Sequence, residues 1–264
     1  MNRKYACLIL SVLLCGCNTS SLSVSTAAPS ASAQADESKK LADMTVTVTT
    51  TDQDGTVLSE EQDTYNSDGN MIAKTTDQDT VTYQFAGQIC TSMSDSAGET
   101  KYSYNSKGQL IQSERTENGE ITNTITFTYD SQGNQITKTA TDASGNVTST
   151  DMTYDAGNRM VETKSVMLGS VYKSELTYDS DGNWIGTKFY CDSELTNTTE
   201  NTWQNGLEMK SVQTVTSSDQ GYTEVTEYTY NQDGLKDTVT DTVTDSEGNV
   251  QSVQIQKYQY SKNQ

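Results

Sequence analysis

One short turn recurs along this chain at a fixed spacing, and no other feature restricts its fold as strongly. Thr128 to Ile136 reads T-Y-D-S-Q-G-N-Q-I, with near copies beginning at Tyr65, Tyr104, Tyr154, Tyr178, Trp203 and Tyr230 and weaker ones at Tyr83 and Tyr260. From Tyr104 the steps to Tyr129, Tyr154, Tyr178 and Trp203 are 25, 25, 24 and 25 residues. A fixed period of that length marks stacked repeats rather than a single globular core.

The turn has a physical reading. An Asp or Asn at its first position bonds its own backbone, and a Gly three places on takes the left-handed conformation that closes a hairpin with a bulge. Asp130 with Gly133, Asp179 with Gly182 and Asn66 with Gly69 fill both positions, and the Asp155 copy offers Gly157. A second turn signal lies about half a period later, at Asn118-Gly119, Asp142 to Asn146, Ser218 to Gly221 and Asp245 to Asn249. Two turns per period predict two strands per period.

From Thr45 onward the side-chain period is two. Ile121, Ile125, Phe127 and Tyr129 share one face of a strand, while Thr122, Thr124, Thr126 and Thr128 line the other. Threonine on a wet face and aromatic or aliphatic residues on a dry one suit a half-buried antiparallel sheet. Hydrophobic residues are only 32% of the chain, and helical periodicity is absent, so no second layer covers this sheet. The expected fold is all-β: about eight or nine β-hairpin repeats forming an elongated, twisted or spiral antiparallel sheet, its tyrosines stacked along the inner face.

The first residues differ in kind. Arg3 and Lys4 precede an apolar run from Ala6 to Leu14, far shorter than the ~20 residues a spanning helix needs. Leu14-Cys15-Gly16-Cys17 follows and resembles a bacterial lipobox. That resemblance implies a signal peptide over 1–16, with Cys17 acylated, palmitate included, as the mature N-terminus; an ordinary signal peptide is the alternative. Residues 17–44 are rich in Ser, Ala and Thr and carry the chain's single proline, Pro29. Such a stretch buries too little apolar area to offset its ordering entropy and reads as a solvated tether. The repeat domain is expected over 45–264.

The stretch from Thr128 to Asn158 resembles the RHS or YD repeat, whose members read Y-D-x-x-G, pass through a second glycine turn and return to Y-D. The likeness extends over roughly Tyr65 to Tyr260. In large members of that family, strips of hairpins spiral into a shell around a cargo domain. This chain departs from them: its repeat region has no proline, so the family's proline-containing closing motif is missing, and no effector segment is expected after Gln264. The resemblance therefore implies a short open strip.

Sites for chemistry are sparse. The loop at Asp179 is superficially like a calcium loop, but aligning Gly182 with the sixth position puts Thr177 first and Lys188 twelfth, where a hard cation needs acidic ligands. With no His in the chain, Cys90 and Cys191 alone cannot assemble a zinc set. These two cysteines lie about four repeats apart, which favours two thiols, whereas a disulfide between them would require the strip to close on itself. No triad and no phosphate loop is present, and the acids recur with the repeat, so no enzymatic activity and no cofactor are expected.

The tyrosine ladder is the one feature suited to binding. Facing outward it would stack on sugars or peptide; facing inward it is the core of a thin sheet. Trp184 and Trp203 are the candidate ligand contacts. A formal net charge of −19 excludes nucleic acid and repels an anionic membrane surface, which leaves the lipid on Cys17 as the membrane attachment. The sequence thus points to a lipid-anchored repeat protein of the cell envelope, facing outside the cytoplasm. Its role would be structural, adhesive or ligand-binding, toward a glycan or an envelope or host protein, with an immunity-like antagonist of one protein partner as the first alternative and a glycan-active enzyme as the second.

Overall fold

The computed structural model describes residues 39–216 and 221–263. The signal segment, Cys17, most of the tether and all but the last residue of the Ser218–Gly221 turn lie outside the described residues.

Eighteen consecutive antiparallel strands form one sheet. The odd strands run from a near rim to a far rim: β1 (Met44–Asp52), β3 (Met71–Thr76), β5 (Ile89–Ser94), β7 (Leu110–Glu117), β9 (Gln135–Asp142), β11 (Met160–Met167), β13 (Trp184–Cys191), β15 (Leu207–Val215) and β17 (Lys236–Asp245). The even strands return: β2 (Val57–Tyr65), β4 (Thr80–Ala86), β6 (Gly98–Tyr104), β8 (Glu120–Tyr129), β10 (Val147–Tyr154), β12 (Ser170–Tyr178), β14 (Glu194–Gln204), β16 (Tyr222–Tyr230) and β18 (Val250–Lys262).

The sheet does not stay open. Strand β1 pairs with β2 on one side and with β18 on the other, in register from Met44 opposite Lys262 to Asp52 opposite Gln254. The elongated or spiral sheet predicted from the repeat is therefore corrected to a closed barrel. The physical reason is the pair of edges: an open meander leaves two rows of unpaired backbone groups, and pairing the first strand with the last removes both. Asn263 stitches the seam, accepting from the Thr45 hydroxyl at 2.7 Å and donating to the Tyr65 carbonyl at 2.8 Å.

The turn chemistry is as the sequence requires, with one shift. In the Asp130 loop, the Gly133 amide donates to the Asp130 carbonyl at 3.2 Å with Gly133 at φ 96°, while Asp130 Oδ1 accepts the amides of Gln132 and Asn134. In the Asp155 loop the left-handed residue is Asn158, at φ 60°, and not Gly157. Asn118-Gly119 and Asn205-Gly206 make two-residue turns with both residues at positive φ, the geometry that matches strand twist. Trp203 to Gly206, a near copy in sequence, thus turns differently from the Asp130 loop.

The two faces of the barrel are unlike. Register places Tyr102, Ser113, Ile125, Ala140, Tyr172, Ser174, Thr226 and Val239 on one continuous face, with Thr124, Thr139, Lys173, Lys188 and Thr240 on the other. The first face is the more buried, as the concave side of a closed sheet must be, and it lines the interior. Eighteen strands enclose more space than side chains fill. Accordingly, no described side chain is less than 2% exposed. The largest buried cluster, Leu41, Val46, Val48, Tyr65, Met71 and Leu235, sits at the near rim beside the seam. Leu41 lies in the stretch read as tether, so the folded region begins before Thr45.

Charge occupies both faces. Glu61, Lys74, Arg115 and Asp241 project from the interior face, and Glu114, Lys173, Lys188 and Glu200 from the exterior. A lipid-facing barrel needs an uninterrupted apolar band on its outside, which this surface does not provide.

Candidate functional site

The recurring aromatic residue lies at a β-bulge at or next to the end of seven of the nine even strands. Register shifts fall at Thr64/Tyr65, Ser103/Tyr104, Thr128/Tyr129, Thr153/Tyr154, Thr177/Tyr178, Thr202/Trp203 and Thr229/Tyr230. In each the extra residue lies on the following odd strand, as Ile136 does beside Tyr129, so the aromatic keeps the inward face of its own strand and reaches across the preceding one. The hydroxyls of Tyr104, Tyr129, Tyr154, Tyr178, Tyr230 and Tyr260 donate to the carbonyls of Cys90, Leu110, Gln135, Met160, Glu208 and Lys236, all at 2.6–2.8 Å. Trp203 replaces the hydroxyl with its indole Nε1, 2.8 Å from the Trp184 carbonyl.

Both tryptophans singled out by sequence therefore serve the ladder. Trp184 is buried at 9% exposure, its Nε1 donating to the Gly186 carbonyl and the Thr187 hydroxyl at 2.9 Å, which corrects the expectation that it is exposed. Trp203 is half-buried. The structure brings the two together through one backbone carbonyl, which also accepts from Asn201 at 3.2 Å. The aromatic row is oriented inward and bonded to the backbone.

Turn carboxylates are similarly occupied. Asp179 Oδ1 accepts the amides of Asp181 and Asn183 at 2.9 Å, and its Oδ2 accepts Asn183 Nδ2 at 2.8 Å. The Asn183 side chain, with these amides, holds the Asp179 carboxyl below the usual range. Asp130 and Asp245 are lowered by Asn134 and Asn249 in the same way. No group of three or more metal-ligating side chains occurs among the described residues. Cys90 and Cys191 are buried thiols on β5 and β13, not bridged to each other.

Sequence reasoning missed the interior carboxyl Asp63. It is 4% exposed, with no bonding partner for Oδ1, beside the Lys74–Glu61 ion pair. Burial pushes its carboxyl up to about 7, against the pull of Lys74. Glu208 and Glu224 on β15 and β16 are raised by burial as well. The alternation of β2 places residue 63 on the inner face, but only closure of the barrel buries it. At the near rim, Lys40, Met44, Asn231, Asp233, Leu235, Tyr260 and Lys262 line a cavity of about 360 Å³.

Comparison with known proteins gives one family match. Residues 104–147 and 129–166 match the family described as RHS repeat, so the chain carries repeats of this type. No curated protein matches the chain. Among solved structures, a porin-like protein from Bacteroides uniformis is similar at 13% identity, with a TM-score of 0.49, covering 83% of this chain and 97% of its own. The Tc holotoxin pore of Photorhabdus luminescens is also 13% identical, with a TM-score of 0.29, covering 75% of this chain and 14% of its own.

Proposed function

We propose that this protein is a lipid-anchored scaffold of the bacterial cell envelope, held outside the cytoplasm by a lipid on Cys17, with a structural, adhesive or ligand-binding role and no enzymatic activity. The observation that carries the reading is the position of the chain ends. Met44 and Lys262 pair at the near rim, so a tether running back to Cys17 leaves from that rim and the far rim points away from the anchoring surface. The repeats form a rigid support, and recognition falls to the rims and the outer wall.

A protein ligand has more support than a glycan. Sugar stacking needs open aromatic faces, and the ladder aromatics are turned inward and bonded to backbone carbonyls. This is the setting in which the antagonist reading, one protein partner bound at the envelope, gains weight. The test of the anchor is Cys17→Ala. The variant is expected to leave the membrane fraction and appear soluble; retention in the membrane would overturn the reading.

A further inference from the structure

The far rim is built differently from the near rim. Strict alternation along β2, β8, β14 and β18 would put Val57, Ile121, Leu195 and Val250 on the inner face. Four bulges, at Thr50/Thr51, Arg115/Thr116, Phe189/Tyr190 and Val243/Thr244, instead pair them with the outward residues Thr51, Thr116, Tyr190 and Thr244. Each bulge therefore turns an aliphatic side chain from the interior to the outside. Val147 and Val166 are outward without a bulge. Every aliphatic residue more than half exposed lies at this rim, from Leu58 at 51% to Leu168 at 92%, whereas the near-rim isoleucines stop at 40%.

Leu168 gives an independent sign. It sits at φ 52° in a two-residue turn with Gly169, where Asn-Gly serves the same geometry at Asn118 and Asn205. A leucine there carries left-handed strain and, at 92% exposure, returns nothing to the fold. Strain without an internal benefit points outward to a contact.

Charge selects the contact. The far-rim loops and their flanking strand ends carry acids at Asp52/Asp54, Asp77/Asp79, Asp95, Glu117/Glu120, Asp192/Glu194 and Asp245/Glu247, while Arg115, near the end of β7, is already paired with Asp95 at 2.6 Å and Glu117 at 3.0 Å. The near rim mixes Asp68, Asp181 and Asp233 with Lys40, Lys107, Arg159 and Lys262. A second copy of this rim, or an anionic lipid surface, would be repelled.

We propose that the far rim is a docking surface for a protein segment that is basic and amphipathic, its apolar side chains meeting the outward Val, Leu and Ile and its Lys or Arg meeting the loop carboxylates. This deepens the ligand-binding part of the function proposed above and rests on that part alone, because it is read on purified protein and stands or falls apart from the lipid on Cys17. The probe is a short, labelled amphipathic peptide of lysine and leucine, with oligolysine as the charge-only control, titrated into the full chain.

Saturable binding of the Lys/Leu peptide is expected, weakening with salt. It should fall at least about tenfold in Val147→Ser/Val166→Ser/Leu168→Asn, since each buried aliphatic contributes more than ~1.4 kcal/mol. Asp54→Asn/Glu120→Gln/Glu194→Gln should weaken it too, while the near-rim pair Asp68→Asn/Asp181→Asn leaves it unchanged. Leu168→Asn relieves strain, so the loss cannot be ascribed to unfolding, and a urea titration checks this. No binding, equal binding of oligolysine, or equal loss in the near-rim variant overturns the proposal. So does binding to phosphatidylcholine vesicles, or sedimentation as a dimer, that is abolished by the aliphatic variant, since a lipid surface or a second copy would then be the occupant.

Discussion

The Tyr154 hydroxyl donates to the Gln135 carbonyl at 2.8 Å, and Gln135 is the residue paired with Tyr129 across the preceding bulge. Each ladder aromatic therefore caps the backbone opposite its predecessor. This is nearest-neighbour coupling of the kind that stabilises repeat arrays. Tyr154→Phe keeps the ring and leaves the half-buried carbonyl unmet. The expected cost is about 1 kcal/mol, read as a lower urea midpoint with an unchanged slope. Trp203→Ala, which also loses packing, should cost about 2 kcal/mol or more.

The turns separate two glycines that look alike in sequence. Gly133 is at φ 96°, and an alanine there is expected to cost about 1–2 kcal/mol. Gly157 is not in the left-handed region, because Asn158 takes that position at φ 60°. Gly157→Ala should stay within about 0.5 kcal/mol of the parent. Denaturant midpoints of the two variants check the order.

Stability should respond to pH through opposite shifts. The Asp63 carboxyl is raised to about 7 by burial, then drawn down by Lys74 and up by Glu61. The unfolded chain ionises near pH 4 while the fold still holds its proton, so this group's contribution is full below about pH 4 and is lost as pH rises to about 7. The turn acids Asp130, Asp142, Asp155, Asp179 and Asp245 are lowered by bonds within their loops, to Asn134, Asn146, the Arg159 backbone, Asn183 and Asn249 respectively. Their contribution is present above pH 4 and is lost as pH falls through the lowered values. Asp63→Asn should remove the decline between about pH 4 and 7 and leave the acid limb. An unchanged decline in thermal midpoint would show that Asp63 is not its source.

Cys90 and Cys191 are buried on strands eight apart in the meander and do not bridge. Both should resist a thiol reagent in the native protein and react together in denaturant, with identical mobility on reducing and non-reducing gels.

A single deletion tests what closure requires. Removing Tyr129 to Thr153 takes out one period, including all of β9 and all of β10 but Tyr154. Sixteen strands can still close, since an even number keeps β1 antiparallel to the last strand. The shortened protein should retain a β circular dichroism spectrum and unfold cooperatively, at a lower denaturant concentration because one ladder bond is gone.

What the sequence determined was local. The Asp130 turn, the alternation of Thr126 and Thr128 with Phe127 and Tyr129, and the 25-residue period all depend on residues a few positions apart, and the strands follow them. The inward ladder was legible too, because tyrosine was the main large residue available for a dry face. Tertiary structure decided the rest. Closure joins Met44 to Lys262 across the whole domain, and nothing local states how twist accumulates over eighteen strands. That closure buried Asp63 and brought Leu41 into the near-rim cluster, while packing of β13 against β14 took Trp184 out of solvent. Bulges did the remainder: one extra residue in β8 turned Ile121 from the face its alternation predicts to the outside, because a period of two reverses faces with every single-residue slip.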